Sequence, residues 1–413
     1  MIPASVFPLC KKVMRRIIFS FVAMCAMISC GIHEIGGIGN GVGDGIWGGI
    51  QDAPEDMGGL HTVCYMTALD YQKDYDWRAD QARENVKCSL VVFADGKPVL
   101  KVPVGASHEI GSDPDMHRMI DGHLYTDYST DTHTVIKKDG VLLFRYPRPE
   151  AVCGMEIIGE DIFTLGESRS GDGFALRRNG EAIFERDAGG VIGEFINDND
   201  CLCFAFYEPV KNTDGQVCRY YAYDDGNVSQ VAVRDDIKEV WDILVNKDRV
   251  RYVADLTGLT TPVIVDGTSM TGVALPVGAS MVSCRLFSVA GDTGLEGICR
   301  LKTGSMINAV WIDGYMLEAF DDTNWISASG ADGYGVFCAI NPATKDGSGL
   351  IYHSGDAYEM PEGYAVMGKE CLKMIDGILH VGLSSRKGCK PVLWKDGDVD
   401  TLNINGYIAT IYP

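Results

Sequence analysis

The chain is short of positive charge, with 36 Lys and Arg residues against 57 Asp and Glu residues and a formal net charge of -21 over 413 residues. A surface of that sign repels a phosphate backbone, so we expect no nucleic-acid partner. Apolar runs of membrane-spanning length are also missing, and from Leu60 onward there is little helical periodicity. These absences disfavour an integral membrane helix and an α-helical fold.

Common catalytic and cofactor motifs are missing as well. Gly166–Ser170 lacks the last glycine of a nucleophile elbow, and the glycine-rich segment Gly36–Gly43 is not preceded by a strand of a βαβ unit. Histidines cluster in one region but follow no zinc-binding spacing: His108, His117, His123 and His133. The sequence therefore predicts no cofactor and no metal site, and it favours a non-enzyme while leaving catalysis open.

The N-terminus has the layout of an export signal. Four basic residues between Lys11 and Arg16 precede the apolar run Ile17–Ser29, which is followed by Cys30. The ending Met27-Ile28-Ser29-Cys30 resembles the lipobox of bacterial lipoproteins. In that family the signal is removed before the cysteine, whose sulfur and amine then carry acyl chains such as palmitate. More than one chain is needed for stable membrane anchoring.

This resemblance implies a protein of the bacterial cell envelope, lipid-anchored at Cys30 and held at the outer membrane. We expect three parts: a signal peptide over residues 1–29, a glycine-rich tether over residues 30–59, and a folded domain over residues 60–413. An ordinary cleaved signal or an uncleaved anchor is the alternative. The tether would hold the domain away from the membrane surface.

The folded domain is built from a repeated hairpin unit, two strands joined by an Asp-Gly type of turn, as in Thr134–Phe144. Such dipeptides favour the positive φ angles of a type I′ turn. The turns recur at intervals of 40 to 47 residues: Asp95, Asp139, Asn179, Asp225, Asp266, Asp313, Ser354 and Asp396, each followed by Gly. A second turn series lies between them, so each period holds four strands.

Four strands in forty-odd residues resemble the blades of a β-propeller. We therefore predict an all-β fold, a β-propeller of eight four-stranded blades, with seven blades or a two-domain β-sandwich as alternatives. The first unit lacks one strand, and the chain ends in the unpaired strand Tyr407–Tyr412. We predict that this tail completes the first blade and closes the ring. Trp311 and Trp394 precede equivalent turns and are expected to pack between blades.

Eleven cysteines follow Cys30, and an exported chain meets an oxidising compartment. Four pairs lie on adjacent strands of one predicted unit and are candidate disulfides: Cys64–Cys88, Cys203–Cys218, Cys284–Cys299 and Cys371–Cys389. The alternative is that most of these residues are small buried hydrophobes.

A charged insertion in the first unit carries the aromatic residues Tyr75 and Trp77. Loops of this kind often carry binding residues, so we expect these two to be exposed ligand contacts. The function predicted from the sequence is a surface-tethered, monomeric, non-catalytic binding module for a protein or a glycan. The alternatives are a glycoside hydrolase or lyase with carboxylates in the propeller channel, and an envelope assembly scaffold.

Overall fold

The computed structural model describes fourteen segments of the chain. They are residues 62–71, 88–104, 117–129, 131–171, 173–212, 215–232, 234–247, 249–289, 292–321, 325–332, 335–342, 347–353, 356–386 and 390–413. Within them no helix is long and apolar enough to cross a bilayer.

These residues form an eight-bladed β-propeller in which all strand pairs are antiparallel. Blade 1 contains β1 (Tyr65–Tyr71), β2 (Cys88–Ala94), β3 (Lys97–Val104) and the last strand of the chain, β33 (Gly406–Tyr412). Blade 2 contains β4 (His117–Ile120), β5 (His123–Ser129), β6 (Thr134–Lys138) and β7 (Val141–Tyr146). Blade 3 contains β8 (Glu150–Ile158), β9 (Asp161–Ser168), β10 (Phe174–Arg178) and β11 (Glu181–Arg186). Blade 4 contains β12 (Gly190–Asp198), β13 (Cys201–Asn212), β14 (Gly215–Asp224) and β15 (Asn227–Val231).

The second half of the ring repeats the arrangement. Blade 5 contains β16 (Ile237–Asn246), β17 (Arg249–Leu256), β18 (Val263–Asp266) and β19 (Ser269–Gly272). Blade 6 contains β20 (Ser280–Val289), β21 (Asp292–Arg300), β22 (Met306–Ile312) and β23 (Tyr315–Asp321). Blade 7 contains β24 (Trp325–Asp332), β25 (Gly335–Asn341), β26 (Leu350–His353) and β27 (Asp356–Glu359). Blade 8 contains β28 (Tyr364–Val366), β29 (Leu372–Ile375), β30 (Ile378–Ser385), β31 (Val392–Lys395) and β32 (Asp398–Thr401), with a short 3₁₀ helix (Lys369–Cys371) between β28 and β29.

The predicted type I′ turns are present in six blades. Their first residues have φ between 42° and 52°, and the glycines that follow have φ between 76° and 107°. They are Asp95, Asp139, Asn179, Asp225, Asp313 and Asp396. In blade 5 the turn begins one residue later than predicted, because β18 runs to Asp266 and Gly267 takes the positive φ. The turn at Ser354 lies outside the described residues.

The apolar cores lie between neighbouring blades. Leu69 and Tyr407 of blade 1, for example, pack with Leu124 of blade 2. The predicted packing of the two tryptophans is confirmed. Trp311 is fully buried and donates its indole N–H to the carbonyl oxygen of Ala274, 2.8 Å away at the end of blade 5. The ring of Trp394 lies 5.3 Å from that of Tyr358 in blade 7.

The C-terminal strand closes the ring as predicted. Strand β33 pairs with β1, with Thr410 opposite Thr67. Its Tyr412 hydroxyl donates to the carbonyl oxygen of His117 in blade 2 at 2.6 Å, and the Ile408 N–H donates to the Ser384 hydroxyl of blade 8 at 3.1 Å. The last strand of the chain therefore contacts both neighbouring blades as well as its own.

Candidate functional site

The outer edge of blade 2 differs from the edges of the other blades. Strand β7 is the terminal strand of its sheet, so one side of its backbone has no strand partner in the described part of the chain. It begins with three apolar residues in a row, Val141, Leu142 and Leu143, which are 68%, 54% and 40% exposed. An open strand edge that is also apolar is a site where another chain can pair.

Most other outer strands have at least one polar, charged or small residue in their first three positions. Blade 3 has Glu181-Ala182-Ile183, blade 7 has Asp356-Ala357-Tyr358, and blade 8 has Asp398-Val399-Asp400. In blade 6 the first position is Tyr315, and the two apolar residues after it are half-buried. Edge charges prevent unwanted strand pairing. Blade 2 lacks that protection at the corresponding positions.

The apolar edge continues onto the neighbouring blades. Val102 of β3 lies against Gly140 at the start of β7, and Phe144 of β7 lies against Gly180 in the corresponding turn of blade 3. The outer strands of these two neighbours expose Val99 and Ile183. A band of three successive outer strands therefore exposes apolar side chains.

Positive charge borders this band, although the chain as a whole is acidic. Lys138 is opposite Val141 in the sheet, and Lys137 is opposite Leu142. The ammonium groups of Lys138 and Lys137 lie 5.5 Å and 4.8 Å from the ring centres of Tyr125 and Tyr128, respectively. We call Val141, Leu142 and Leu143 with Lys137 and Lys138 the blade-2 edge.

A second charged site lies inside the ring, around Arg285 of β20. Its Nε donates to Oε1 of Glu296 at 2.7 Å, and its Nη1 donates to Oε1 of Glu194 at 3.3 Å. Glu194 belongs to blade 4 and Arg285 to blade 6, so the ion pair reaches past blade 5 through the interior of the ring. Glu370, in the 3₁₀ helix of blade 8, also acts electrostatically on Arg285.

Asp242 of β16 stands beside this cluster. Burial raises the pKa of its carboxyl to about 6, against the opposing effect of the N–H groups of Leu286 and Ile243. The Leu286 N–H donates to Oδ2 of Asp242 at 2.7 Å, which joins blade 5 to blade 6. The carboxylate thus accepts a main-chain hydrogen bond between two blades.

A cavity of about 250 Å³ borders Arg285. Its lining comes from three strands of blade 6: Ser283, Cys284, Arg285, Glu296, Gly297, Ile298 and Asn308. Hydrolysis of a glycoside needs one carboxyl group free to protonate the leaving group and another free to act as base or nucleophile. Glu194 and Glu296 instead share Arg285, and Asp242 holds a main-chain N–H.

Three of the residues singled out from the sequence, Cys30, Tyr75 and Trp77, lie outside the described residues. Their roles as lipid attachment site and ligand contacts stay predictions.

The candidate disulfides are not formed among the described thiols. Cys203 is opposite Asp224, and Cys218 is opposite Pro209, so these two cysteines are far apart along the same strand pair. Cys284 and Cys299 are diagonal neighbours, opposite Gly297 and Met281, and both are free. Membership of adjacent strands was the correct part of that prediction, but the strand register does not bring either pair into direct opposition.

The other two candidate pairs each have a cysteine whose side chain lies outside the described residues. Cys64 is a free, buried thiol that precedes β1, whereas the backbone of Cys88 is opposite Tyr71 at the far end of that strand. The thiol of Cys371 is also free, and it donates to the carbonyl oxygen of Ala409 at 3.1 Å. Its expected partner, Cys389, is not described. Cys64 and Cys371 serve as buried hydrophobes, the alternative that the sequence left open.

Sequence reasoning missed both sites described above. The blade-2 edge could have been found by comparing the three residues that follow each Asp-Gly turn, since only Val141-Leu142-Leu143 consists entirely of aliphatic residues. The Arg285 cluster has no such signal, because Glu194 and Arg285 are 91 residues apart.

Comparisons with known proteins find similarity only to solved structures, at low sequence identity. No protein-family model and no curated protein matches the chain. Among solved structures it is similar to BamB from Moraxella catarrhalis, with 12% identity, 76% of this chain and 94% of that chain covered, and a TM-score of 0.43. The β-propeller domain of the Trilobed protease from Pyrococcus furiosus has 12% identity, 72% and 98% coverage, and a TM-score of 0.44. Pyrococcus horikoshii acylaminoacyl peptidase has 11% identity, 73% and 54% coverage, and a TM-score of 0.43. Likeness at this level carries no functional argument.

Proposed function

We propose that this protein is a non-catalytic binding module of the bacterial cell envelope, lipid-anchored to the outer membrane through Cys30. Its ligand is a segment of another protein that binds in extended form along the blade-2 edge. The exposed aliphatic run Val141-Leu142-Leu143 on an open strand edge is the observation that carries this proposal.

Strand addition explains why a bare edge is useful. An extended segment gains affinity from main-chain hydrogen bonds to the open side of the strand, and specificity from its alternating side chains. Apolar side chains of the partner would cover Val141 and Leu143, and acidic residues would complement Lys137 and Lys138. The proposed partner segment is therefore apolar and flanked by acidic residues.

The contacts at the Arg285 cluster join blades 4, 5 and 6: Glu194 and Glu296 share one guanidinium, and Asp242 accepts a main-chain N–H. The proposed binding function does not use these carboxylates. A glycan ligand would bind through exposed aromatic rings, and Tyr75 and Trp77 stay predicted contacts of that kind. A protein ligand is proposed because the exposed aliphatic run of the blade-2 edge lies on an open strand edge.

Site-specific photo-crosslinking in living cells tests the proposal. A photoreactive phenylalanine analogue replaces Leu142 in one variant and Val399 in another. Both residues are second in an outer strand and about half exposed, but Val399 is flanked by Asp398 and Asp400. We expect a discrete crosslinked protein at position 142 and none at position 399.

A third variant tests whether the apolar side chains are needed for binding. It adds the double substitution Val141→Lys and Leu143→Lys to the photo-crosslinking variant at Leu142. Loss of the crosslinked band, with an unchanged unfolding midpoint, is the expected result, because both side chains are exposed and contribute little to the core. Equal crosslinking at positions 142 and 399, or a band that survives the two lysines, would refute the blade-2 edge as the binding site.

Lipid attachment at Cys30 and the outer-membrane location are tested separately. Cells grown with radiolabelled palmitate should label the intact protein, and Cys30→Ser should abolish both the label and the recovery of the protein in the outer-membrane fraction. Labelling that persists in the Cys30→Ser protein would refute lipid attachment at this residue. That result would leave the proposed blade-2 edge unaffected.

A further inference from the structure

Three potential metal ligands converge at the start of β13 in blade 4. Cys201 and Cys203 are two residues apart on one strand, so their side chains lie on the same face of the sheet. Asp224 of β14 is directly opposite Cys203 in the register. The two sulfur atoms and a carboxylate oxygen of Asp224 all lie within 4.8 Å of one another.

We propose that Cys201, Cys203 and Asp224 form a binding site for a single thiophilic divalent cation such as Zn²⁺. The site is independent of the blade-2 edge and of the Arg285 cluster. It also departs from the expectation of no metal site, which rested on histidine spacing and treated the cysteines as candidate disulfides or buried hydrophobes.

The distances agree with a tetrahedral site. Zn–S bonds of about 2.3 Å and a Zn–O bond of about 2.0 Å require S···O separations of about 3.5 Å and an S···S separation of about 3.8 Å at the tetrahedral angle. Oδ1 of Asp224 lies 3.1 Å from the Cys201 sulfur and 3.8 Å from the Cys203 sulfur. Changes of a few tenths of an ångström would therefore bring both sulfur atoms to the required separation from this oxygen.

The surroundings of the site favour a cation. Asp198 and Asp225 are close enough to act electrostatically on the two thiols, against one opposing cation, Lys247. Cys201 is half-buried and Cys203 fully buried, so the site is reached from solvent through Cys201. Three protein ligands leave the fourth tetrahedral position for a water molecule.

Binding can be written as a balanced step. The cation forms two bonds to sulfur and one to oxygen, and each thiol loses its proton to solvent, so two protons are released for each ion bound. Affinity should consequently rise with pH. No oxidant or reductant takes part.

Cobalt titration of the full chain in detergent, reduced and stripped of metal, tests the proposal. Co²⁺ bound by thiolates gives intense sulfur-to-metal charge-transfer absorption, and we expect this band to saturate at one ion per chain. Zn²⁺ should then displace Co²⁺ and remove the band. Cys201→Ser, Cys203→Ser and Asp224→Asn should each weaken Co²⁺ binding by about 10-fold or more.

Cys218→Ser is the matched control, because Cys218 is an exposed free thiol on the same strand as Asp224 but opposite Pro209. It should leave the titration unchanged. The metal should also raise the unfolding temperature of the wild type and of Cys218→Ser, but not of the Cys201→Ser/Cys203→Ser double variant. This second reading separates lost binding from misfolding, because the double variant must still unfold cooperatively.

Absence of the charge-transfer band in the wild type would overturn the proposal. An equal loss of binding in Cys218→Ser, or full binding by the Cys201→Ser/Cys203→Ser double variant, would overturn it as well. None of these outcomes depends on the crosslinking at Leu142, so the metal site and the proposed protein-binding function stand or fall separately.

Discussion

The imidazole of His117 is buried where blade 2 meets the closing strand of blade 1. Its Nε2 lies 2.7 Å from the Thr67 hydroxyl and 3.5 Å from that of Thr410. Burial, assisted by the charge of Arg118, lowers the pKa of His117 from 6.5 to about 3. The folded protein therefore keeps this side chain neutral down to about pH 3.

A pH dependence of stability follows from His117. Between about pH 6.5 and pH 3 the unfolded chain binds a proton at this residue and the folded chain does not. The free energy of unfolding should therefore fall on acidification, by up to about 1.4 kcal/mol per pH unit from His117 alone. Urea unfolding of the wild type and of His117→Asn between pH 7 and pH 4.5 measures this effect.

At pH 7 the wild type should be the more stable of the two, because the smaller amide side chain of the variant replaces the imidazole imperfectly. The difference should move in favour of the variant by about 2.5 kcal/mol by pH 4.5, since only the wild type has the buried imidazole. Parallel stability curves for the two proteins would show that His117 is not the group responsible.

At the scale of secondary-structure elements, the Asp-Gly turns do more than reverse the chain. The N–H of Asp313 donates to the carbonyl oxygen of Thr293 at 2.9 Å, and its Oδ1 accepts the Thr293 N–H at 3.0 Å. The same double contact recurs in four other blades, at Asp95, Asp139, Asn179 and Asp396. A turn residue with a side-chain acceptor thus fastens the third strand of its blade to the second.

Asp313→Ala should cost about 2–3 kcal/mol of unfolding free energy, because it removes the acceptor for a main-chain N–H and places alanine at positive φ. Asp313→Asn should cost less, because Asn179 makes the same contact in blade 3. Asp225→Ala is the control: Asp225 shares the positive φ, and its contact across the turn is the main-chain hydrogen bond from its N–H to the carbonyl oxygen of Leu202. Urea midpoints of the three variants measure the order. Equal losses in Asp313→Ala and Asp225→Ala would contradict a role for the side-chain contact.

Because these turns are local features, the sequence could predict them, and their even spacing predicted the blades. Strand register is set by the lengths of the strands and by bulges, and neither can be read from turn positions. That is why Cys203 and Cys218 could be assigned to adjacent strands, whereas their register, with Cys203 opposite Asp224, could not be predicted. Contacts across the ring, such as Glu194 with Arg285, depend on the angle between blades and leave no pattern in the sequence.

The propeller is closed at a seam where its first strand, β1, pairs with its last strand, β33. Each blade packs mainly against its neighbours, as in other repeat folds, so stability is approximately a sum of nearest-neighbour terms. Strand β33 differs from the other strands because it pairs with a strand that is distant in sequence: Thr410 and its partner Thr67 are 343 residues apart. The contact between them closes nearly the whole described chain into one loop, and opening it would expose blades 1 and 8 together.

A disulfide across the seam tests how much the closed ring contributes. The hydroxyl oxygens of Thr67 and Thr410 lie 2.5 Å apart on directly opposed residues, so Thr67→Cys/Thr410→Cys places two sulfur atoms within reach of a bond. Closing a loop of this length restricts the unfolded chain by up to about 5 kcal/mol in the chain-entropy treatment. Urea unfolding of the oxidised variant measures the gain in stability. The same variant after reduction is the control, because both forms lack the threonine hydrogen bonds to His117.

If the oxidised and the reduced protein unfold at the same urea concentration, β1 and β33 separate without unfolding the ring. The seam would then contribute little to global stability, and the apolar cores between the eight blades would hold them in place.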